Sequence, residues 1–255
     1  MPKISLCLET VFPEYSIEDR IKMAADAGFK AVEIWDPSGH DLKKLSAIAS
    51  AAGVCFASCT LNQPRSWQLD RSAGPVLTNI TRSIEMAREL GSPTMIGLSS
   101  DVAGRADAQK NILIENLKRA ADTVFKSGLT LVLEPLNSLV DHKGCYLDSS
   151  LVAFEIARCV NCPNIRVLFD IYHMQIMEGN LLSNMMDNLE WIGHFHAAGV
   201  PGRHEPIDNE VNYPHLMKKI DELGFSRYVG LEYWPTYDHR QSITDSLNWL
   251  SMRMH

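Results

Sequence analysis

Four apolar runs in the second half of the sequence end in ionisable side chains. They read Leu131-Val132-Leu133-Glu134, Val167-Leu168-Phe169-Asp170, His194-Phe195-His196 and Val229-Gly230-Leu231-Glu232. Three carboxylates and an imidazole brought together would repel or take up protons unless a cation balanced them. A divalent ion inverts that cost. Three oxygen donors with one nitrogen suit Mn²⁺ or Mg²⁺, and the imidazole tilts the choice toward Mn²⁺. Four ligands leave two adjacent positions of an octahedral ion for a hydroxyl and a neighbouring carbonyl oxygen. The chemistry that follows is proton transfer beside a carbonyl through an enediolate, with the metal as Lewis acid.

Any one of these residues, taken singly, reads equally well as a strand-end charge paired with a basic neighbour. The case rests on their sharing one end of one sheet. His194 precedes His196 by two and so faces the same way, one layer deeper. A hydrogen-bonded core histidine is therefore expected at His194, rather than a further ligand. Glu33, near the end of an earlier run, either enters the site or pairs structurally.

The elements that must position these groups recur in strict order. Eight short β-like runs are rich in Val, Ile, Leu and Phe: Ile4–Leu8, Ala31–Trp35, Val54–Cys59, Thr94–Leu98, Thr130–Glu134, Arg166–Asp170, Ile192–Ala197 and Tyr228–Tyr233. Helix-like segments separate them. Ile17, Ile21, Ala24 and Ala25 form one apolar face, closed by Gly28. Asp41 is a cap for a helix with Leu42, Leu45 and Ile48 inward, ending before Gly53. Ile80, Ile84, Ala87 and Leu90 precede Gly91. The segment from Ile112 to Phe125 precedes Gly128, and Leu216, Ile220 and Leu223 precede Gly224. Strict β/α alternation implies a parallel sheet. Eight units in this length fit one closed (β/α)₈ TIM barrel over residues 1–255 better than an open, doubly wound sheet. No G-x-G-x-x-G follows the first run, which argues against dinucleotide binding. In such barrels the strands' C-terminal ends carry the active site, which is where all four ionisable residues fall.

Composition narrows the partners. The 255 residues are 45% hydrophobic, with 24 basic and 31 acidic side chains and a net charge of -7. That balance argues against nucleic acid as the main partner, since phosphate neutralisation needs a basic face and no Lys/Arg run builds one. No stretch approaches the roughly 18 apolar residues of a membrane span. The opening MPKISLCLETVF lacks a signal peptide's long apolar core, so a cytoplasmic protein is expected. The six cysteines are too sparse for a disulfide scaffold, and Cys159-x-x-Cys162 lacks the second ligand pair of a zinc site.

The segments LVLEPLN (131–137), FDIYHMQIMEGN (169–180), IGHFHAAGVPGRHEP (192–206), VNYP (211–214) and VGLEYWP (229–235) resemble the hydroxypyruvate isomerase family. That family lies within the xylose isomerase-like superfamily of TIM barrels. The resemblance implies that Glu134 and Glu232 bind metal and act as the acid/base pair, and that Asp170 is a ligand. It further implies that His173 holds a substrate oxygen and that Arg203 lies over the substrate. One position departs from the pattern. Hydroxypyruvate isomerases usually carry glutamine where this chain has His196, whereas ketose 3-epimerases carry histidine.

The implied activity is isomerisation of a small hydroxycarbonyl acid, hydroxypyruvate to tartronate semialdehyde, with ketose 3-epimerase and 2-oxo-tetronate isomerase as alternatives. Two rivals are of other classes. A metal-dependent abasic-site endonuclease would need a larger His/Glu/Asp cluster and a DNA-binding surface. A non-catalytic sugar-binding barrel would not need both glutamates. Family members often assemble, which leaves a homo-oligomer open, although no interface stripe stands out in the sequence. His204 and Glu205 flank Arg203 in a Gly/Pro-bounded loop and are open in role. The long connection LNQPRSWQLDRSAGP (61–75) carries Arg65 and Trp67, and reads equally as a lid that brings them over the substrate or as a surface loop packed on its own Trp.

Overall fold

The computed structural model describes residues 2–61, 69–100 and 106–251, so Arg65 and Trp67 fall outside the described residues. Eight strands form one closed parallel barrel in chain order. They are β1 (Lys3–Cys7), β2 (Ala31–Ile34), β3 (Cys55–Thr60), β4 (Thr94–Gly97), β5 (Thr130–Leu133), β6 (Ile165–Asp170), β7 (Ile192–Ala197) and β8 (Tyr228–Leu231). The seam closes where Leu6 of β1 faces both Val32 of β2 and Leu231 of β8. The expected (β/α)₈ TIM barrel is the fold found.

Helices cover the outside: α1 (Ile17–Asp26), α2 (Leu42–Ala51), α3 (Ala73–Leu90), α4 (Ala106–Ser127), α5 (Ser150–Val160), α6 (Ile171–Met177), α7 (Leu181–Met186), α8 (Tyr213–Glu222) and α9 (His239–Ser251). Asp41 caps α2 as expected, accepting from the Lys44 amide. Helices α1 to α4 and α8 each hand over to the next strand through a glycine at positive φ: Gly28, Gly53, Gly91, Gly128 and Gly224. Asn161 takes the same left-handed role after α5. The apolar face of α4 differs in detail from the expected segment. Leu113, Leu117, Ala120 and Val124 are buried, whereas the bounding Ile112 and Phe125 face solvent.

The main core lies between helices and sheet, and the barrel's interior is a separate compartment. One side of that interior is apolar, built from Ile96, Val132 and Leu168 of β4 to β6. The other side holds Ser5, Glu33, Ser58 and His194, all buried. Period-two alternation stacks each site residue above an interior one: Val132 below Glu134, Leu168 below Asp170, His194 below His196, Gly230 below Glu232.

Bulges keep that alternation aimed. Val167 pairs with Ile192 but Leu168 pairs with His194, so Gly193 is the extra residue in β7. A side chain at Gly193 would sit 2.7 Å from Val132 Cγ1. The bulge thus resets the phase, sending Ile192 to the outer core and both histidines inward.

Candidate metal centre

Glu134, Asp170, His196 and Glu232 meet at the C-terminal mouth of the barrel, and one donor atom from each lies within 4.8 Å of the others. All four are buried. Donors about 2.1 Å from a shared ion lie at most about 4.2 Å apart, so small adjustments would let them share one.

The chemistry of the donors fits a cation. His196 Nδ1 lies 3.3 Å from Glu134 Oε1 and 3.2 Å from Glu232 Oε2. It is buried without a hydrogen-bond partner. Its other nitrogen, Nε2, is 3.0 Å from Glu33 Oε2. Burial pushes the Glu134 and Asp170 carboxyls up. Glu232 pays the same burial penalty, but Arg203 and His196 hold it well below the usual carboxylate range. Burial likewise opposes a charged His196, yet Glu232 and Glu134 raise it well above an ordinary histidine. Without an ion, a proton on this imidazole and the Arg203 guanidinium are what hold three carboxylates together.

Asp170 serves two ends at once. It closes β6 and also caps α6, accepting from the amides of Tyr172 at 2.8 Å and His173 at 3.3 Å. One carboxylate therefore fixes the direction of α6, which brings His173 over the site.

His173 is fully buried, its Nε2 is 3.4 Å from Asp170 Oδ2, and that nitrogen has no hydrogen-bond partner. Burial and then Arg203 keep it neutral, with a pKa well below the ordinary value. Its tautomer follows from Asn137. The Asn137 Oδ1 accepts from the Val140 and Asp141 amides, at 3.1 and 2.8 Å. Its Nδ2 must then be the group 2.7 Å from His173 Nδ1, which leaves the ring proton on Nε2, aimed into the site. Asn137 closes the LVLEPLN segment, but no sequence signal assigned it a task. Asn137→Asp would turn that donor into an acceptor and shift the proton to Nδ1. We expect kcat/KM to fall about 10- to 100-fold, the worth of one hydrogen bond to a charged group, with the fold kept. Steady-state kinetics and the histidine ¹⁵N spectrum check it.

Arg203 reaches the cluster from the loop after β7. Its Nη2 bonds Glu232 Oε2 and lies 3.9 Å from Asp170 Oδ2, and its guanidinium sits 5.4 Å above the Tyr172 ring. The buried Nε has no partner. The Arg203 backbone is in the left-handed region at φ 58, tied by its amide to Gly199 O and by its carbonyl to the Trp234 amide. Gly199 permits that fold-back, since a Cβ there would lie 2.3 Å from the Glu205 carbonyl oxygen.

The neighbours left open have structural tasks. His204 Nδ1 is 2.9 Å from the Trp234 carbonyl. Glu205 accepts from Thr236 N and Oγ1, both at 2.9 Å, and from Ser242 Oγ at 2.7 Å, joining this loop to the one after β8. His194 is the hydrogen-bonded core histidine expected, its Nε2 2.9 Å from Glu33 Oε1. Glu33 pairs below the site rather than entering it. Cys159 and Cys162 are free thiols outside both ligand clusters found among the described residues.

Two further residues at this face were missed in the sequence. The Trp35 indole N–H donates to Glu232 Oε1, and its ring meets Trp234 edge-on at 6.1 Å. Glu9, two residues past β1, accepts from the Trp35 amide at 2.7 Å. Burial pushes its carboxyl up from 4.5 to about 7. Between those two values the folded chain holds a proton that the unfolded chain has lost. Stability therefore falls as pH rises through that window and stays lowered above it. Glu9→Gln keeps the carbonyl acceptor and removes the charge. We expect it to raise stability by about 2 kcal/mol at pH 8 and hardly at all at pH 4.5, read by denaturant titration.

A family model for xylose isomerase-like TIM barrels matches residues 21–252. The chain is 33% identical over 261 residues to the 2-oxo-tetronate isomerase of Cupriavidus necator, covering 98% of each. It is 30% identical over 269 residues to the hydroxypyruvate isomerase of Escherichia coli K12, again covering 98% of each. A crystal structure from Brucella melitensis, described as AP endonuclease, family 2, superposes with a TM-score of 0.89 at 29% identity, over 95% of this chain and 97% of that one. No helix among the described residues is long and apolar enough to cross a membrane.

Proposed function

The chain belongs to the xylose isomerase-like TIM barrel family, and on that premise we propose that it is a divalent-metal-dependent isomerase of small hydroxycarbonyl acids. Hydroxypyruvate and tartronate semialdehyde are the preferred pair, with 2-oxo-tetronates next. The observation that carries this reading is the cluster of four buried donors around an unpartnered His196 Nδ1. Curated relatives matched along nearly their whole length are isomerases of such acids, which supports it.

Glu134, Asp170, His196 and Glu232 would hold Mn²⁺ or Mg²⁺. Such an ion, when bound, acts as a Lewis acid on the substrate's carbonyl and adjacent hydroxyl oxygens. The remaining work falls to the chain. Glu134 and Glu232 form the acid/base pair, one taking the carbon-bound proton and the other managing its return. The His173 Nε2–H donates to the substrate oxygen on which negative charge develops. Arg203 offers its free Nε to the substrate carboxylate, while Nη2 stays on Glu232. Trp35 holds Glu232 through its indole N–H and packs edge-on against Trp234, which fixes that side of the mouth.

The hydrolytic alternative draws on the Brucella melitensis likeness. The net charge of -7 argues against it, as does a mouth cluster of four donors among the described residues, since a DNA hydrolase of this fold needs more ligands and a basic face. The test is incubation with Mn²⁺ and hydroxypyruvate in deuterated water, followed by NMR of carbon-bound deuterium. Metal-dependent interconversion with deuterium incorporation is the expected result, lost with chelator. Exchange on a ketose alone would reassign the chain to epimerisation, and incision of an abasic duplex would reassign it to DNA.

A further inference from the structure

We propose that Glu33 is the positioning residue of the metal centre: its carboxylate fixes the His196 ring so that Nδ1 alone is left for the ion. The inference rests on the metal-site reading above and adds a residue below the four donors. Glu33 is 2% exposed, inside the barrel, one layer beneath the mouth. Four donors converge on it: Ser5 Oγ, Ser58 Oγ at 2.7 Å, His194 Nε2 at 2.9 Å and His196 Nε2 at 3.0 Å. A carboxylate accepts and does not donate when ionised, so each histidine must carry its proton on Nε2. For His196 the Nε2 proton is thereby fixed, so the proton that gives way to a cation is the one on Nδ1, which faces Glu134 and Glu232. A neutral ring free to take the other tautomer would put a proton where the ion belongs.

The fold makes room for this at one point. A Cβ on Gly230 would lie 2.5 Å from Glu33 Oε1 and 2.8 Å from His196 Cδ2. The carboxylate therefore rises beside His196 only because β8 has no side chain there. Ser5 and Ser58 pin it from β1 and β3, and His194 meets His196 edge-on at 5.2 Å, so neither ring can swing away. Glu33, His194 and His196 also place donors within 4.8 Å of one another, as a second metal site would. Hydrogen bonds already occupy the Glu33 oxygens, which favours a support over a ligand.

The test uses the full chain. Mn²⁺ titration calorimetry on Glu33→Gln should show binding weakened about 10- to 100-fold with one site retained, and circular dichroism unchanged. Ser58→Ala, which removes one of the two hydroxyls and neither histidine contact, should weaken Mn²⁺ binding less than Glu33→Gln does. Histidine ¹⁵N NMR of the Mg²⁺-loaded wild type should find the His196 proton on Nε2. That reading requires no variant to fold, and a proton on Nδ1 would overturn the proposal. Unchanged Mn²⁺ affinity in Glu33→Gln, or two Mn²⁺ per wild-type chain, would overturn it as well. A wild-type chain that binds no Mn²⁺ would remove the metal reading and this inference together.

Discussion

Glu134→Gln and Glu232→Gln are each expected to lower kcat on hydroxypyruvate by about 10³-fold or more, the scale of a lost general base with its electrostatic share. Gln keeps the shape and one oxygen donor, so the loss reports charge and proton transfer rather than packing. The two variants should differ in KM. Among the described residues the one oppositely charged partner of Glu134 within 4 Å is His196, so its replacement leaves the other ion pairs of the mouth in place. Glu232 also anchors Arg203 and takes the Trp35 indole N–H. Its replacement frees a buried guanidinium from its counter-charge and should raise KM as well as lower kcat. Steady-state kinetics at saturating Mn²⁺ separates the two patterns. Full activity in either variant removes that residue from the mechanism.

Asp170→Asn is expected to weaken Mn²⁺ binding about 100-fold while leaving the melting temperature of the metal-free protein nearly unchanged. The amide oxygen can still accept from the Tyr172 amide, so the cap on α6 survives. What goes is the negative charge offered to the ion. Asp170→Ala should lose the same affinity and a further ~1 kcal/mol of stability, because the cap goes too. Calorimetric titration with Mn²⁺ and thermal unfolding in chelator give the two readouts. If Asn at 170 binds Mn²⁺ as wild type does, Asp170 is a helix cap and nothing more.

The barrel and its four mouth residues were legible because a parallel strand buried on both faces reads as a short apolar run. An ionisable residue ending such a run therefore stands out. His194 was legible for the same period-two reason. Glu33 was not, because its task depends on partners from β1, β3 and β7 that no local spacing brings together. The bulge at β2/β3, where Val32 pairs with Phe56 but Glu33 with Ser58, also changes which residues share a layer. Asn137 was hidden in a loop, where an amide most often serves the backbone; it does so here, and its second end sets a histidine tautomer. Glu9 lies just past the first apolar run, and Trp35 ends the second as an aromatic rather than an ionisable residue, so neither stood out as the other run ends did. Arg203 could be found only through the resemblance of its loop, since its reach back to Glu232 depends on the fold-back at Gly199.

The left-handed residues that end α1 to α5 and α8 all feed strand N-termini, at the pole of the barrel farthest from the donors. The chain thus practises a division of labour along its axis. Sequence drift at that pole touches how readily the β/α units form and how long they last, whereas drift at the opposite rim changes which molecule is transformed. One such scaffold can accordingly be hardened from below and retargeted from above, each without undoing the other.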